Sequence, residues 1–141
     1  MIVDSSVVLM AFFPDEGHSA AQALIQAHVL NMIELQAPTL LPYEITNAVL
    51  QATRRGRITI ETAQEILTAF ENLNISLHPV PSARALTLAH RYARSAYDAA
   101  YLSLAETLDL QCITGDRRLY NAVHPQSPRV LWIGDYRPPA A

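Results

Sequence analysis

The sequence predicts an α/β domain of three layers, α/β/α, in which helices cover both faces of a mostly parallel sheet of about five strands. Short apolar runs alternate with longer amphipathic segments along the 141 residues, and this alternation is typical of parallel sheets. Half of the residues are hydrophobic and 16% are charged, so the chain can bury a core. We therefore expect a single domain over residues 1–136 and a frayed tail over residues 137–141.

The five predicted strands are the short apolar runs. In chain order they cover residues 1–3, 34–37, 77–80, 111–113 and 130–133. Each run is shorter than an ordinary helix, and longer segments with interspersed polar residues separate the runs. Strands spaced in this way are joined by helices rather than by tight turns, which favours parallel pairing.

Seven predicted helices occupy the segments between and around these strands. They cover residues 7–13, 19–32, 42–55, 60–73, 83–95, 98–108 and 117–122. The third begins at Pro42 and ends before Gly56, and the fifth follows Pro81, as helix ends prefer. The fourth carries the clearest apolar stripe at helical spacing, formed by Ala63, Ile66, Leu67, Phe70 and Leu73.

Composition narrows the class of protein. No apolar run reaches the roughly 18 residues of a membrane span, and the N-terminus lacks the basic region and cleavage-site pattern of a secretory signal. The single cysteine, Cys112, lies in an apolar run and is expected to be a buried thiol. Without a second cysteine no intrachain disulfide can form, which is typical of a cytoplasmic protein.

Four carboxylates fall where separate segments of this fold would meet. Asp4 ends the first predicted strand and Asp116 closes the apolar run at 111–113. Open parallel sheets bind ligands beyond the carboxyl ends of their strands, where the strand order reverses. If these two strands are neighbours there, both aspartates project into one crevice, which Asp98 and Glu44 can complete from two helices.

Each acid also has an ordinary structural interpretation. Asp4, Asp98 and Asp116 precede helical patterns, where Asp is a favoured N-cap worth about 1 kcal/mol. Glu44 would complement a helix N-terminus, worth roughly 0.3–1 kcal/mol.

The surroundings of the acids favour a metal site instead. Buried charges are costly unless they are paired or bound to metal. The chain has no lysine, its ten basic residues are all arginine, and these cluster mostly away from the acids. A hard cation with oxygen ligands, such as Mg²⁺, would remove the repulsion. Polar side chains near the acids are candidates for orienting them or holding water; they are Ser6, Asn47 and Thr114.

Four ordered motifs resemble the PIN-domain family, and most closely the VapC-type ribonuclease toxins. They are VDSS at 3–6, EITNAVL at 44–50, YDAAYLSLAE at 97–106 and TGDRRL at 114–119. The resemblance spans nearly the whole chain. It implies a PIN-like fold and assigns catalysis to the four acids with Thr114 as a polar helper. Some family members carry a further acid two residues after the last aspartate, whereas this chain has Arg118.

The resemblance implies a metal-dependent endoribonuclease. The cofactor would be Mg²⁺ or Mn²⁺, held by Asp4, Asp98 and Asp116, and the substrate single-stranded regions of RNA, cut to leave a 5′-phosphate. The implied partners are a VapB-like antitoxin and a second copy of the chain. Arg117 and Arg118 are expected to contact RNA phosphates. The structural alternative for such arginines is a favourable interaction between a cation at a helix C-terminus and the helix dipole.

Rival functions remain open. A receiver domain, a P-loop nucleotide site and a haloacid-dehalogenase-type phosphatase each need a lysine that this chain lacks. A housekeeping RNA-processing nuclease would use the same acids. A non-catalytic, partner-binding α/β domain would use the acids only as helix caps.

Overall fold

The computed structural model describes residues 1–140, which form five strands and seven α-helices. The strands are β1 (Ile2–Val3), β2 (Gln36–Pro38), β3 (Ser76–His78), β4 (Cys112–Thr114) and β5 (Val130–Trp132). The helices are α1 (Ser5–Phe12), α2 (Ser19–Val29), α3 (Leu41–Arg54), α4 (Ile60–Asn72), α5 (Ser82–Tyr92), α6 (Ala96–Leu108) and α7 (Arg117–Val123), followed after β5 by a 3₁₀ turn at Ile133–Asp135.

The strands form one sheet in the order β3-β2-β1-β4-β5, and every neighbouring pair is parallel. The order reverses between β1 and β4, where Ile2 lies opposite Cys112 and Val3 opposite Ile113. Backbone hydrogen bonds continue past β1, because Asp4 N–H donates to the Ile113 carbonyl at 3.1 Å. The predicted α/β fold with a parallel five-stranded sheet is confirmed, and its switch point lies between the strands that precede Asp4 and Asp116.

Right-handed crossovers place the helices on both faces of this sheet. Helices α1 to α4 connect β1 to β2 and β2 to β3, so they cover one face. Helices α5 to α7 belong to connections that run the opposite way across the sheet and cover the other. A cluster of buried side chains from α5, α6, α7 and β5 packs on that second face; it comprises Ala85, Leu88, Ala99, Leu102, Leu119, Val123 and Val130.

Three element boundaries differ from the sequence prediction in ways that bear on function. Helix α6 begins before Asp98, because the hydroxyl of Ser95 accepts the Asp98 N–H at 3.0 Å as the N-cap. Helix α5 ends earlier than predicted, at a left-handed Ala93 with φ of 53°. Helix α2 ends at Val29, because the chain turns back through a left-handed Asn31. In each case one local backbone conformation overrides the apolar periodicity.

The remaining predictions concern the core and the tail. Cys112 is fully buried, as expected, and burial raises the pKa of its thiol. Residues 137–140 carry no helix or strand, and Ala141 lies outside the described residues, so the frayed tail stays a prediction. No helix in the described part of the chain is long and apolar enough to cross a membrane.

Candidate active site

Asp4 lies at the bottom of the crevice and is only 5% exposed. It precedes α1, but its side chain makes no capping hydrogen bond. Instead its Oδ2 accepts hydrogen bonds from the hydroxyls of Ser6 at 2.6 Å and Thr114 at 2.8 Å. Burial raises the pKa of the Asp4 carboxyl, and the two hydroxyls oppose this only in part. The capping interpretation of Asp4 is therefore wrong.

The same two hydroxyls fix the loop after β4. Ser6 Oγ accepts the Gly115 N–H at 2.9 Å, and Thr114 Oγ1 accepts the Asp116 N–H at 3.0 Å. Each hydroxyl thus donates to Asp4 and accepts from the loop, and Thr114 is fully buried. A Cβ on Gly115 would come too close to the Met10 sulfur, so a larger residue here requires the flexible Met10 side chain to move. The network ties the two strand ends of the switch point into one rigid unit.

Asp116 is the N-cap of α7, as its position before a predicted helix indicated. Its Oδ1 accepts the backbone N–H groups of Arg118 at 2.9 Å and Leu119 at 3.2 Å at the start of α7. Its Oδ2 is not used by the cap. The side chain is 40% exposed, so that oxygen faces the mouth of the crevice. Capping and a site role are therefore compatible at Asp116.

Asp98 enters the crevice from the first turn of α6. Because Ser95 is the N-cap, Asp98 does not cap this helix. Its Oδ2 accepts a hydrogen bond from Arg94 Nε at 3.1 Å, and Arg94 Nη2 lies 3.1 Å from the same oxygen. Burial raises the pKa of the Asp98 carboxyl, Arg94 lowers it, and the charge of Asp116 raises it further.

Glu44 approaches from α3, on the opposite face of the sheet from Asp98. The hydroxyl of Tyr101, a buried residue of α6, donates a short hydrogen bond to Glu44 Oε1 and so links the two faces. Burial raises the pKa of Glu44, Tyr101 lowers it, and the charges of Asp4 and Asp98 raise it again. The carboxylate next to Tyr101 adds to the burial that raises the pKa of the phenol.

The four carboxylates act on one another electrostatically. Asp98 and Asp116 raise the pKa of Asp4, and Asp4 and Asp98 raise the pKa of Glu44. Like charges have this effect only at close range, so the four predicted acids share one crevice at the switch point. Without a bound cation, the repulsion among these carboxylates makes the arrangement unfavourable.

Each of the three aspartates uses one oxygen within the protein and leaves the other open. No residue within 1–140 donates a hydrogen bond to Asp4 Oδ1 or to Asp98 Oδ1. Asp116 Oδ2 accepts no hydrogen bond from these residues either, and the Arg94 guanidinium is 4.0 Å away from it. Oxygen donors of this kind suit a hard divalent cation, which also takes water ligands. No three acidic, histidine or cysteine side chains among the described residues already stand at liganding positions. The open carboxylate oxygens fit such a cation in chemistry, and binding would require the side chains to move closer together.

The other predicted site residues lie around the crevice. Ser6 and Thr114 belong to the network at Asp4. Asn47 is exposed on α3 and makes no side-chain hydrogen bond with the described residues, so the structure does not join it to the acids. Arg117 and Arg118 are exposed at the start of α7, and the guanidinium of Arg117 stacks on the Trp132 ring at 3.8 Å from its centroid.

Sequence reasoning missed two contributors. The expectation that the arginines lie away from the acids is wrong for Arg94, which pairs with Asp98 and approaches Asp116. Arg94 lies in the turn between α5 and α6 and Asp98 in the first turn of α6, so the pair depends on how the chain passes from one helix to the next. Tyr101 is buried in α6 and also donates to Glu44, 57 residues away in the chain, a contact that no local pattern reveals.

Comparisons with known proteins identify the family of the chain. The family model of the PIN domain matches residues 1–124. Ribonuclease VapC3 of Pyrobaculum aerophilum is 30% identical over 124 residues, which are 84% of this chain and 91% of that protein. Ribonuclease VapC9 of Mycobacterium tuberculosis is 30% identical over 128 residues, which are 91% of this chain and 94% of that protein.

The fold is also found among solved structures. The crystal structure of PAE2754 from Pyrobaculum aerophilum superimposes with a TM-score of 0.71 over 94% of this chain and 90% of that one, at 24% identity. At this identity the likeness speaks for the fold alone. Family match, sequence relatives and fold point the same way: the chain belongs to the PIN-domain family, among its VapC-type members.

Proposed function

We propose that the protein is a divalent-metal-dependent endoribonuclease that cuts single-stranded regions of RNA and serves as the toxin of a VapBC-type pair. The two sequence relatives described above are ribonucleases by name, which supports nuclease activity. The observation that carries the metal dependence is the set of three aspartates with one open oxygen each, gathered in one crevice where Arg94 is the single paired cation among the described residues.

Mg²⁺ or Mn²⁺ is the proposed cofactor, and Asp4, Asp98 and Asp116 are its proposed ligands. When bound, such a cation supplies a water-derived nucleophile near neutral pH and neutralises charge on the scissile phosphate. Asp4 is suited to the innermost position, because it is buried and Ser6 and Thr114 hold its Oδ2, which leaves Oδ1 free of hydrogen bonds from the described residues.

Glu44 is the proposed proton acceptor for the attacking water. A carboxyl whose pKa is raised toward the working pH exchanges protons more effectively than an ordinary one. Burial raises the pKa of Glu44, and the hydrogen bond from Tyr101 keeps the side chain at a fixed position on the crevice wall. Glu44 thereby acts on the water without needing a histidine.

The RNA strand is proposed to lie over the start of α7. Arg118 is exposed there and has no salt bridge with the described residues, so its charge is available to phosphates. Arg117 is exposed too, but its guanidinium rests on Trp132, which fixes the position of the charge. Phosphate contacts of this kind give affinity without selecting a sequence.

A VapB-like antitoxin, a second copy of the chain and a cytoplasmic location complete the proposal. The names of the relatives support the toxin role. A basic residue of an antitoxin entering the acidic crevice would be electrostatically complementary to it.

The direct test is cleavage of labelled total RNA by purified protein in Mn²⁺, Mg²⁺ or EDTA, with the Asp98→Asn variant beside the wild type. We expect metal-dependent cutting that falls by at least about 10³-fold in the variant, because a ligand of the reacting centre is lost. Asp109→Asn is the matched control: it makes the same change at the far end of α6, about 16 Å away, where the exposed Asp109 pairs with Arg129. Equal activity of both variants would refute the assignment.

The toxin role has a separate test. A short antitoxin reading frame just upstream is expected, and its product should suppress both the cleavage and the growth arrest caused by expressing this chain. A nuclease that cuts RNA without arresting growth, and with no such neighbour, would be a housekeeping enzyme.

A further inference from the structure

Arg94 is the one cation that pairs with the acidic crevice in the described part of the chain. The other salt bridges there join Arg57, Arg84 and Arg129 to acids elsewhere. Arg94 instead places Nη2 3.1 Å from Asp98 Oδ2 and 4.0 Å from Asp116 Oδ2. It therefore stands between two carboxylates that the proposed function assigns to the metal.

The backbone fixes where this guanidinium starts. Ala93 adopts a left-handed conformation after α5, and the Arg94 N–H donates to the Ala89 carbonyl at 3.0 Å in the manner of a helix-ending motif. Ser95 then caps α6 immediately. Arg94 thus sits in a tight turn between two helices, and only its side chain has freedom to move.

The Arg94 side chain has different partners available with and without a bound cation. In the bare protein the guanidinium offsets the repulsion between Asp98 and Asp116. A divalent cation on those carboxylates repels the guanidinium, whose five N–H donors then need new acceptors. An RNA phosphate at the crevice is the nearest acceptor that the proposed reaction provides, and arginine binds phosphate well through paired donors.

We propose that Arg94 is a substrate-positioning residue that exchanges partners: it holds Asp98 and Asp116 in the bare protein and binds the RNA phosphate in the working enzyme. The inference rests on the proposed function. It has a distinctive consequence, since Arg94 lowers the affinity of the protein for metal while raising its activity on RNA. A residue with a merely structural role would not move these two quantities in opposite directions.

The test compares Arg94→Gln with Arg84→Gln. Arg84, on α5, also pairs with an acid of α6, Glu106, which lies two helical turns beyond Asp98. Mn²⁺ affinity is measured by titration calorimetry without RNA, and kcat/KM on a single-stranded RNA at Mn²⁺ saturating for each variant. We expect Arg94→Gln to bind Mn²⁺ about fivefold more tightly, as loss of a partly exposed competing ion pair implies. Its kcat/KM should fall by about 10²-fold, the usual effect of removing one charge-stabilising donor.

Arg94→Lys should bring both quantities part of the way back, because it keeps the charge but not the planar fork. Loss of both metal affinity and activity in Arg94→Gln, or values equal to those of Arg84→Gln, would overturn the role of Arg94 while leaving the nuclease proposal standing. Wild-type protein that neither binds Mn²⁺ nor cuts RNA would overturn both.

Discussion

The carboxylates of the acidic crevice have different partners in its deep part, formed by Asp4, and in its outer part, formed by Asp98 and Asp116. Asp4, at the bottom, is 5% exposed and has only neutral partners, the hydroxyls of Ser6 and Thr114. Asp98 and Asp116, at the mouth, are more exposed and share the charge of Arg94. Hydroxyls orient a carboxylate but leave its charge in place, whereas a guanidinium offsets it.

This difference indicates where a cation is most needed. The charge of Asp4 is the most costly in the bare protein, because burial raises its pKa and no cation relieves it. The outer pair, Asp98 and Asp116, already has a positive charge beside it, the guanidinium of Arg94. We infer that the deep part governs whether the crevice holds a cation, and that the outer part tunes how tightly it does so.

The hydroxyl network of the deep part should give the largest stability effect. Thr114→Val removes the hydrogen bond to Asp4 and leaves the buried Asp116 N–H without its acceptor. We expect the free energy of unfolding to fall by about 1–3 kcal/mol, as measured by urea denaturation. Thr107→Val is the control, because Thr107 donates a single bond to the Ser103 carbonyl within α6. Equal losses in the two variants would show that the network carries no special weight.

The charge of the deep part should give a smaller effect of opposite sign. Asp4→Asn removes the costly charge and keeps an oxygen for the two hydroxyls, so the metal-free protein should be more stable than the wild type at pH 7.5, by less than Thr114→Val loses. Asp98→Asn should give a smaller gain, because burial raises the pKa of Asp98 too but the substitution also deprives Arg94 of its partner. Asp15→Asn should not stabilise either, since Arg57 lowers the pKa of Asp15. Stabilisation by Asp98→Asn equal to that by Asp4→Asn would erase the contrast between the two parts.

The gain at Asp4 should depend on pH in a definite direction. The folded-state pKa of Asp4 is raised above its ordinary value of 3.8, so the folded protein holds the proton more tightly than the unfolded chain. Stability relative to Asp4→Asn is therefore lost as pH rises from about 3.8 through the folded pKa. Thermal unfolding in EDTA should show the two proteins converging at acidic pH and separating toward neutrality. A difference that is constant with pH would mean that the charge of Asp4 is not its cause.

Much of this arrangement was predictable from the sequence. Asp4 and Asp116 follow apolar strands, and the rule that ligands bind where strand order reverses was enough to place them together. The cap of α6 was also readable, since Ser95 precedes Asp98 by three residues in the pattern of a capping box. It was missed because the apolar run appeared to start at Asp98.

Other features depend on contacts that no local pattern encodes. Tyr101 meets Glu44 only because α6 and α3 come together from opposite faces of the sheet. The isolation of Asn47 is also set by the fold: it lies one turn after Glu44 on α3, yet its side chain is exposed. The position of Arg94 depends on the left-handed Ala93, a conformation that the sequence would more readily assign to glycine.

The most direct test of the central claim is a calorimetric titration of the wild type and of Asp4→Asn with Mn²⁺ in the absence of RNA. If the crevice is a cation site governed by its deep carboxylate, the wild type binds Mn²⁺ and Asp4→Asn binds it at least about tenfold more weakly. Asp4→Asn should remain folded and at least as stable as the wild type. Equal affinity in both proteins, or no binding by either, would contradict the account and return the four carboxylates to structural roles.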